Sequence, residues 1–350
     1  MRIAQIAPLT ESVPPRLYGG TERVVSFLTE QLVAMGHAVT LFASGDSRTS
    51  AELVPLWPRA LRFDPTLRDA IAPHILMIEQ VYRRADEFDV LHCHLDYWPF
   101  SLLGRQATPF LTTLHGRLDL QELRSIYDCF PDVPLVSISE AQRLPLPDAN
   151  FVATVHHGLP ETLLTPRPVR PSYLAFLGRI CPEKRPDRAI RIARQAGIKL
   201  KIAAKVDRVD ETYFHETIRP MIDGCNVELI GEISDAEKPD FLSGAVALLV
   251  PIDWPEPFGL VMIEAMACGT PVIGFNRGSV PEIIEHGVTG LIVDDESAAV
   301  AAVDQVAGLS RAAVRRSFEC RFTARRMAED YLTLYRRLAA RARPALRVVR

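Results

Sequence analysis

Short apolar runs alternate with segments of helical periodicity along the whole chain. Arg2 to Ala7, Ala38 to Ala43, Val90 to His92, Phe110 to Leu114, Leu135 to Ile138 and Phe151 to Val155 are brief apolar runs and read as strands. Thr21 to Met35 carries apolar residues at helical spacing, with Thr21 placed as a cap and Gly36 as a stop. Near His157 the texture changes. Pro160, Pro166, Pro168 and Pro171 crowd a stretch without periodicity, and 161–171 reads as a linker. A second alternating series follows, with strands at Tyr173 to Leu177, Leu200 to Ala203, Val227 to Ile230, Ala245 to Val250, Val272 to Phe275 and Leu291 to Val293. Helices fall between them, including Arg185 to Ala196 and Glu282 to Glu285. A last helix over about 322–340 places Met327, Tyr331, Tyr335 and Leu338 on one face that needs a surface to cover.

This grammar predicts an α/β protein of two doubly wound, Rossmann-like domains, 1–160 and 172–321. A cleft between them would face the C-terminal strand ends, where ligands of such sheets bind.

At 350 residues the chain is long enough for two full cores, and 48% hydrophobic with 24% charged residues is ordinary globular composition. The net charge of −3 hides an asymmetry: from Arg311 onward 12 Arg face 3 acids, so the tail carries +9 and the rest −12. Such a tail points to an anionic contact, a membrane surface or an acidic substrate. A solvated, Arg-rich helical face is the alternative. The six cysteines form no C-x-x-C pair, so neither zinc nor a redox dithiol is indicated, and most read as reduced core thiols. Met1 to Leu9 reads as a strand, not a signal peptide, and no apolar stretch reaches the about 18 residues that span a bilayer. The expected location is the cytosol, with the cationic tail able to touch the inner face of a membrane.

The richest chemistry lies in Trp254-Pro255-Glu256-Pro257-Phe258-Gly259-Leu260 and the helix that follows. Glu256 sits on a Pro-flanked loop. Glu264 lies among Val, Met, Ile and Ala and is expected to be at least half buried, so it needs donors or a cation. A sugar hydroxyl is such a donor, and a helix beginning at Phe258-Gly259 offers free N–H groups to a phosphate. In Gly178-Arg179-Ile180-Cys181-Pro182-Glu183-Lys184, after the first strand of the second series, Arg179 and Lys184 can both meet a departing diphosphate. Tyr18-Gly19-Gly20-Thr21 opens the first long helix, and two glycines there allow close backbone approach to an anion or sugar. His115 stands just past a strand end. His92 and His94 share a strand face, but no third metal ligand is evident. Ser137-Ile138-Ser139-Glu140 reads as a helix cap, and Asp235 as the cap of a later helix.

Glu256, seven intervening residues and Glu264, with Phe258-Gly259 between and Gly269-Thr270-Pro271-Val272 after, resembles the signature of retaining GT-B glycosyltransferases of family 4. The resemblance runs from about residue 1 to 338 and is strongest between Ser172 and Val293. It implies that Glu264 holds the nucleotide ribose, that Glu256, Phe258, Gly259 and Leu260 hold the donor sugar and diphosphate, and that Arg179 and Lys184 meet the diphosphate. It also places Gly19 and Gly20 beneath the donor phosphates, His115 on the donor hexose, and the backbone of Gly231, Glu232 and Ile233 on the nucleobase. The last helix is expected to cross back onto the first domain.

The implied activity is hexosyl transfer from a nucleoside-diphosphate sugar (UDP- or GDP-hexose) to a hydroxyl of a glycan, lipid or small molecule, with retention of configuration. No D-x-D triplet occurs, so the expectation is a reaction without metal or cofactor. Asp96 is placed on the acceptor. Other readings stay open at this point: a sugar-nucleotide epimerase or phosphorylase of the same architecture, or a non-catalytic sugar-binding protein. Nucleic acid is not an expected partner, because no aromatic stacking platform accompanies the arginines. Cys181 and Glu282 carry no derivable role.

Overall fold

In a computed structural model, which describes residues 1–16 and 19–342, the chain forms two compact units. One is residues 1–157 with the chain from 324 onward, the other residues 158–323. The first holds a parallel sheet of β1 (Arg2–Ile6), β2 (Ala38–Ser44), β3 (Glu52–Trp57), β4 (Val90–Cys93), β5 (Phe110–Thr113), β6 (Leu135–Ser137) and β7 (Phe151–Thr154), in the order β3-β2-β1-β4-β5-β6-β7. The second holds β8 (Tyr173–Arg179), β9 (Leu200–Lys205), β10 (Val227–Gly231), β11 (Ala245–Val250), β12 (Val272–Phe275) and β13 (Gly290–Val293), in the order β10-β9-β8-β11-β12-β13. Both are doubly wound. Strand order reverses beside β1/β4 and β8/β11, the places where such sheets offer their carboxyl ends to ligands. Helices cover both faces, so β4, β5 and β12 are buried along their whole length and read as unbroken apolar runs.

Strand β3 escaped the sequence reading. It is an edge strand with Pro55 in its middle, a residue that argues against a strand except at an edge. The helix Ile71–Arg83 was also missed, because Ile71, Ile75 and Leu76 are each more than half exposed and blur its stripe. The first long helix runs Gly20–Ala34 with Gly19 in the cap position, so Thr21 lies inside the helix and caps nothing. The last helix is Ala324–Ala342. It belongs to the first unit and buries Met327, Tyr331, Tyr335 and Leu338.

The stretch read as a linker folds onto the second unit. Leu164 is fully buried, the Arg167 main-chain N–H donates to Ser243 Oγ at 2.9 Å, and Arg167 pairs with Asp240 at 3.4 Å. Proline removed regular structure there without removing contacts.

Much of the cationic tail is spent internally. Arg311 donates to the carbonyls of Ser243 and Ala245, Arg321 to those of Glu282 and Ile283, and Arg326 to those of His156 and His157. Arg315 grips three carbonyls, Glu161, Leu164 and Ala267, the last at the C-terminal turn of the helix Leu260–Ala267. A guanidinium is suited to this, with five donors in a rigid fork. The tail's last stretch, 343–350, lies outside the described residues. No helix among the described residues is long and apolar enough to cross a membrane. All six cysteines are free thiols. Cys93, Cys181 and Cys268 are buried, but Cys129, Cys225 and Cys320 are exposed, which corrects the reading of most as core residues.

Candidate functional site

In the second unit the site is built at the carboxyl ends of β8, β10 and β11. Arg179 ends β8, and the turn Pro182–Lys184 follows. The Lys184 ammonium contacts the Glu256 carboxylate and lies 5.2 Å from the centre of the Trp254 ring. The Trp254 indole N–H donates to the same carboxylate at 3.0 Å. Glu256 is buried, so its charge is held by a cation and a neutral donor, as a desolvated carboxylate requires. Arg179 pairs with Asp210 at 3.3 Å and Asp207 at 3.7 Å. Both expected diphosphate cations thus stand at this end of the sheet, each held by acids. Cys181 is buried between them and its thiol is pushed up by burial, which suits a packing role better than a nucleophile.

The loop from Glu256 to Gly259 is clamped from the side. Ser279 donates its main-chain N–H to the Glu256 carbonyl at 2.9 Å and its hydroxyl to the Phe258 carbonyl at 2.8 Å. Gly278, at φ +52°, lies so close that a Cβ would fall on the main-chain nitrogen of Glu256. Gly259, at φ +80°, turns the chain into the helix Leu260–Ala267, and a Cβ there would meet Met262 Cε at 2.7 Å. Sequence reasoning passed over Gly278 and Ser279, and a Gly-Ser pair after a strand gives little signal alone.

Glu264 is 1% exposed, and Lys238 Nζ meets its Oε1 at 2.8 Å. Lys238 also pairs with Asp235 at 3.0 Å. Asp235 therefore does not cap the helix Lys238–Ser243, whose start has no side-chain cap. Instead Asp235, Lys238 and Glu264 tie the turn holding Gly231, exposed Glu232 and half-buried Ile233 to the helix Leu260–Ala267. Lys238 lies 26 residues from Glu264 and could not be paired with it from sequence. Glu282 keeps no derived role; its main-chain N–H donates to the Ser279 carbonyl at 2.9 Å and its own carbonyl accepts from Arg321.

In the first unit Gly19 packs against Pro15 at the start of the helix Gly20–Ala34, with an added Cβ 2.8 Å from Pro15 Cβ. Gly20 is exposed, and Tyr18 lies outside the described residues. Asp96 follows β4 in the left-handed region, at φ +50°, a conformation that costs a non-glycine residue about 1 kcal/mol or more. Burial raises its carboxyl to about 6, opposed by a hydrogen bond from the main-chain N–H of His115. His115 follows β5. Its Nε2 is 2.8 Å from His94 Nδ1, its ring stacks on His157 at 5.3 Å, and burial lowers its pKa to about 3.

Behind it the ring nitrogens of His92 and His94 are taken up by Thr113, Tyr335, Gln5 and His115 at 2.6–2.9 Å. Burial, the leading cause, holds His92, His94 and His157 well below the ordinary imidazole value. Among the described residues no group of three or more His, Cys, Asp or Glu could hold a metal ion. Ser139 caps its helix as read, accepting the Gln142 N–H at 3.0 Å.

Two family models match the chain: "Glycosyl transferases group 1" over residues 165–314 and "Glycosyltransferase Family 4" over residues 18–132. The chain is 26% identical over 338 residues to a D-inositol 3-phosphate glycosyltransferase of Mycolicibacterium smegmatis, covering 79% of this chain and 75% of the relative. Its fold matches the sucrose-phosphate synthase of Thermosynechococcus elongatus with a TM-score of 0.79 at 21% identity, covering 97% of this chain and 99% of the other. It also matches Anabaena HepE, solved with UDP-glucose, with a TM-score of 0.73 at 16% identity over 97% of this chain and 100% of the other.

Proposed function

We propose that this chain, which belongs to the family 4 GT-B glycosyltransferases and is a hexosyltransferase, moves a hexose from a uridine-diphosphate sugar to an acceptor hydroxyl with retention of configuration. The carrying observation is the pair of buried acids, Glu256 and Glu264, eight residues apart on one loop and helix, each already served by a lysine. A carboxylate accepts several hydrogen bonds, so Lys238 and a ribose hydroxyl can share Glu264. The helix start at Gly259-Leu260 supplies N–H groups to the diphosphate. The choice of uridine is supported by the fold's likeness to a protein solved with UDP-glucose.

In the transfer the bond from the anomeric carbon to the diphosphate breaks and negative charge grows on the leaving oxygens. Arg179 and Lys184 would stabilise that charge, strengthening as it develops. The acceptor oxygen bonds to the same face, and its proton passes to a leaving phosphate oxygen. Charge neutralisation by two fixed cations makes a metal unnecessary in this scheme. Asp96 would accept a hydrogen bond from the acceptor hydroxyl.

Titration calorimetry with UDP-, GDP- and ADP-glucose tests the donor reading. UDP-glucose should bind tightest, and Glu264→Gln should weaken it about tenfold or more, since a hydrogen bond to a carboxylate is worth about 1.5–3 kcal/mol. Lys238 keeps Asp235 as a partner in that variant, so the fold should survive. Unchanged affinity in a folded variant would remove Glu264 from the site.

The acceptor role of Asp96 has a pH signature. Its carboxyl titrates near about 6, so turnover should fall as pH drops through that value and the acid stops accepting. Asp96→Asn should lack this limb. Identical pH profiles in the two proteins would exclude the role.

A further inference from the structure

We propose that Gln5 and His94 act as positioning residues that hold His115 as its Nε2–H tautomer and leave Nδ1 as a hydrogen-bond acceptor for a hydroxyl of the bound sugar. The sugar contact rests on the glycosyltransferase reading; the tautomer does not.

An amide oxygen can only accept, and Gln5 Oε1 lies 2.9 Å from His94 Nε2, so that nitrogen carries a proton. A neutral imidazole has one N–H, which leaves His94 Nδ1 as a lone pair. Across 2.8 Å it faces His115 Nε2, which must therefore donate. His115 Nδ1 is then unprotonated. It is buried and has no hydrogen-bond partner among the described residues.

The sense of the Gln5 amide sets this direction. Gln5 Nε2 donates to the Tyr335 hydroxyl at 3.1 Å and faces His92 Nδ1 at 3.4 Å. Tyr335 in turn lies 2.6 Å from His92 Nδ1, and His92 Nε2 lies 2.7 Å from Thr113 Oγ1, which reaches the Tyr331 hydroxyl at 2.9 Å. Turning the amide over would reverse every donor along the chain and make His115 Nδ1 a donor instead. Charged or titratable groups facing the cluster are Asp96 on the β4 loop, His157 stacked on His115, and Arg326 on the last helix beside His157.

A mixture of tautomers would weaken recognition without removing any atom from the site. A sugar hydroxyl at a pure acceptor donates its proton and keeps its lone pairs for other partners, so the tautomer sets which hydroxyl geometry is read.

Nitrogen-15 NMR of histidine-labelled protein tests this directly, with His115→Gln assigning the resonance. The expected result is His115 with protonated Nε2 and bare Nδ1, unchanged across pH 6 to 8, a window above its pKa of about 3. A protonated Nδ1, or a ring that titrates in that window, would overturn the proposal. In Gln5→Met both tautomers should become populated, and KM for the nucleotide sugar should rise roughly fivefold or more with kcat less affected. An unchanged His115 tautomer in that folded variant would remove Gln5 from the role. Absence of sugar-nucleotide turnover in the parent protein would strike the glycosyltransferase reading alone, because the NMR result stands without substrate.

Discussion

Acidification from pH 6.5 to 4 is expected to unfold the first unit. His92, His94, His115 and His157 are held uncharged by burial, with folded pKa values below that of the unfolded chain. Below about 6.5 the unfolded state binds protons that the folded state refuses, so the contribution is full above that pH and is lost as pH falls. Each such imidazole gives up to about 1.4 kcal/mol per pH unit, and four give up to about 5 kcal/mol per pH unit. Domain stabilities of about 5–15 kcal/mol do not survive many such steps. Asp96 works the other way, since its raised carboxyl is relieved of an unfavourable buried charge as it protonates below about 6. Glu22, also raised by burial, acts with Asp96, and two groups against four do not reverse the sign. Urea titrations at stepped pH, followed by tryptophan fluorescence in Trp254→Phe, isolate Trp57 and Trp98 of the first unit. A midpoint that stays flat from pH 6.5 to 4.5 would contradict the neutral cluster.

Replacing Lys184 by Met should lower kcat by about 10²–10³ while costing far less in folding. Its ammonium is half-buried on Glu256, and Glu256 keeps the Trp254 indole N–H when the cation is gone. The lost charge matters most when the diphosphate departs, which is a transition-state effect and leaves KM less changed. Arg179→Ala should lower kcat alike but cost more in folding, because it strips buried Asp210 of its cation while Asp207 keeps Lys205 at 2.9 Å. Nucleoside diphosphate release, read beside thermal melts, decides it. Full turnover in a folded Lys184→Met protein would remove this lysine from the chemistry.

Much of the architecture was legible because parallel strands covered on both faces leave unbroken apolar runs, as in Val272 to Phe275. The run from Glu256 to Glu264 was legible for a related reason: all its parts are local, a loop acid, a Gly turn and an acid on an apolar helix. What stayed hidden depends on distant partners. Gln5 and Tyr335 are separated by 330 residues, and Lys238 finds Glu264 only through the packing of two helices. Periodicity carries no trace of such pairs. Strand β3 was hidden by Pro55, and the contacts that 161–171 makes with Ser243 and Asp240 left no mark in a proline-rich, irregular stretch.

The threefold grip of Arg315 also decides where this molecule can be divided. A fragment beginning at residue 172 would strip that guanidinium of the Glu161 and Leu164 carbonyls and leave it the Ala267 carbonyl and the Glu319 carboxylate. Severing at 158 and 323 keeps the three attachments intact, so those are the ends from which a free-standing second unit can be made.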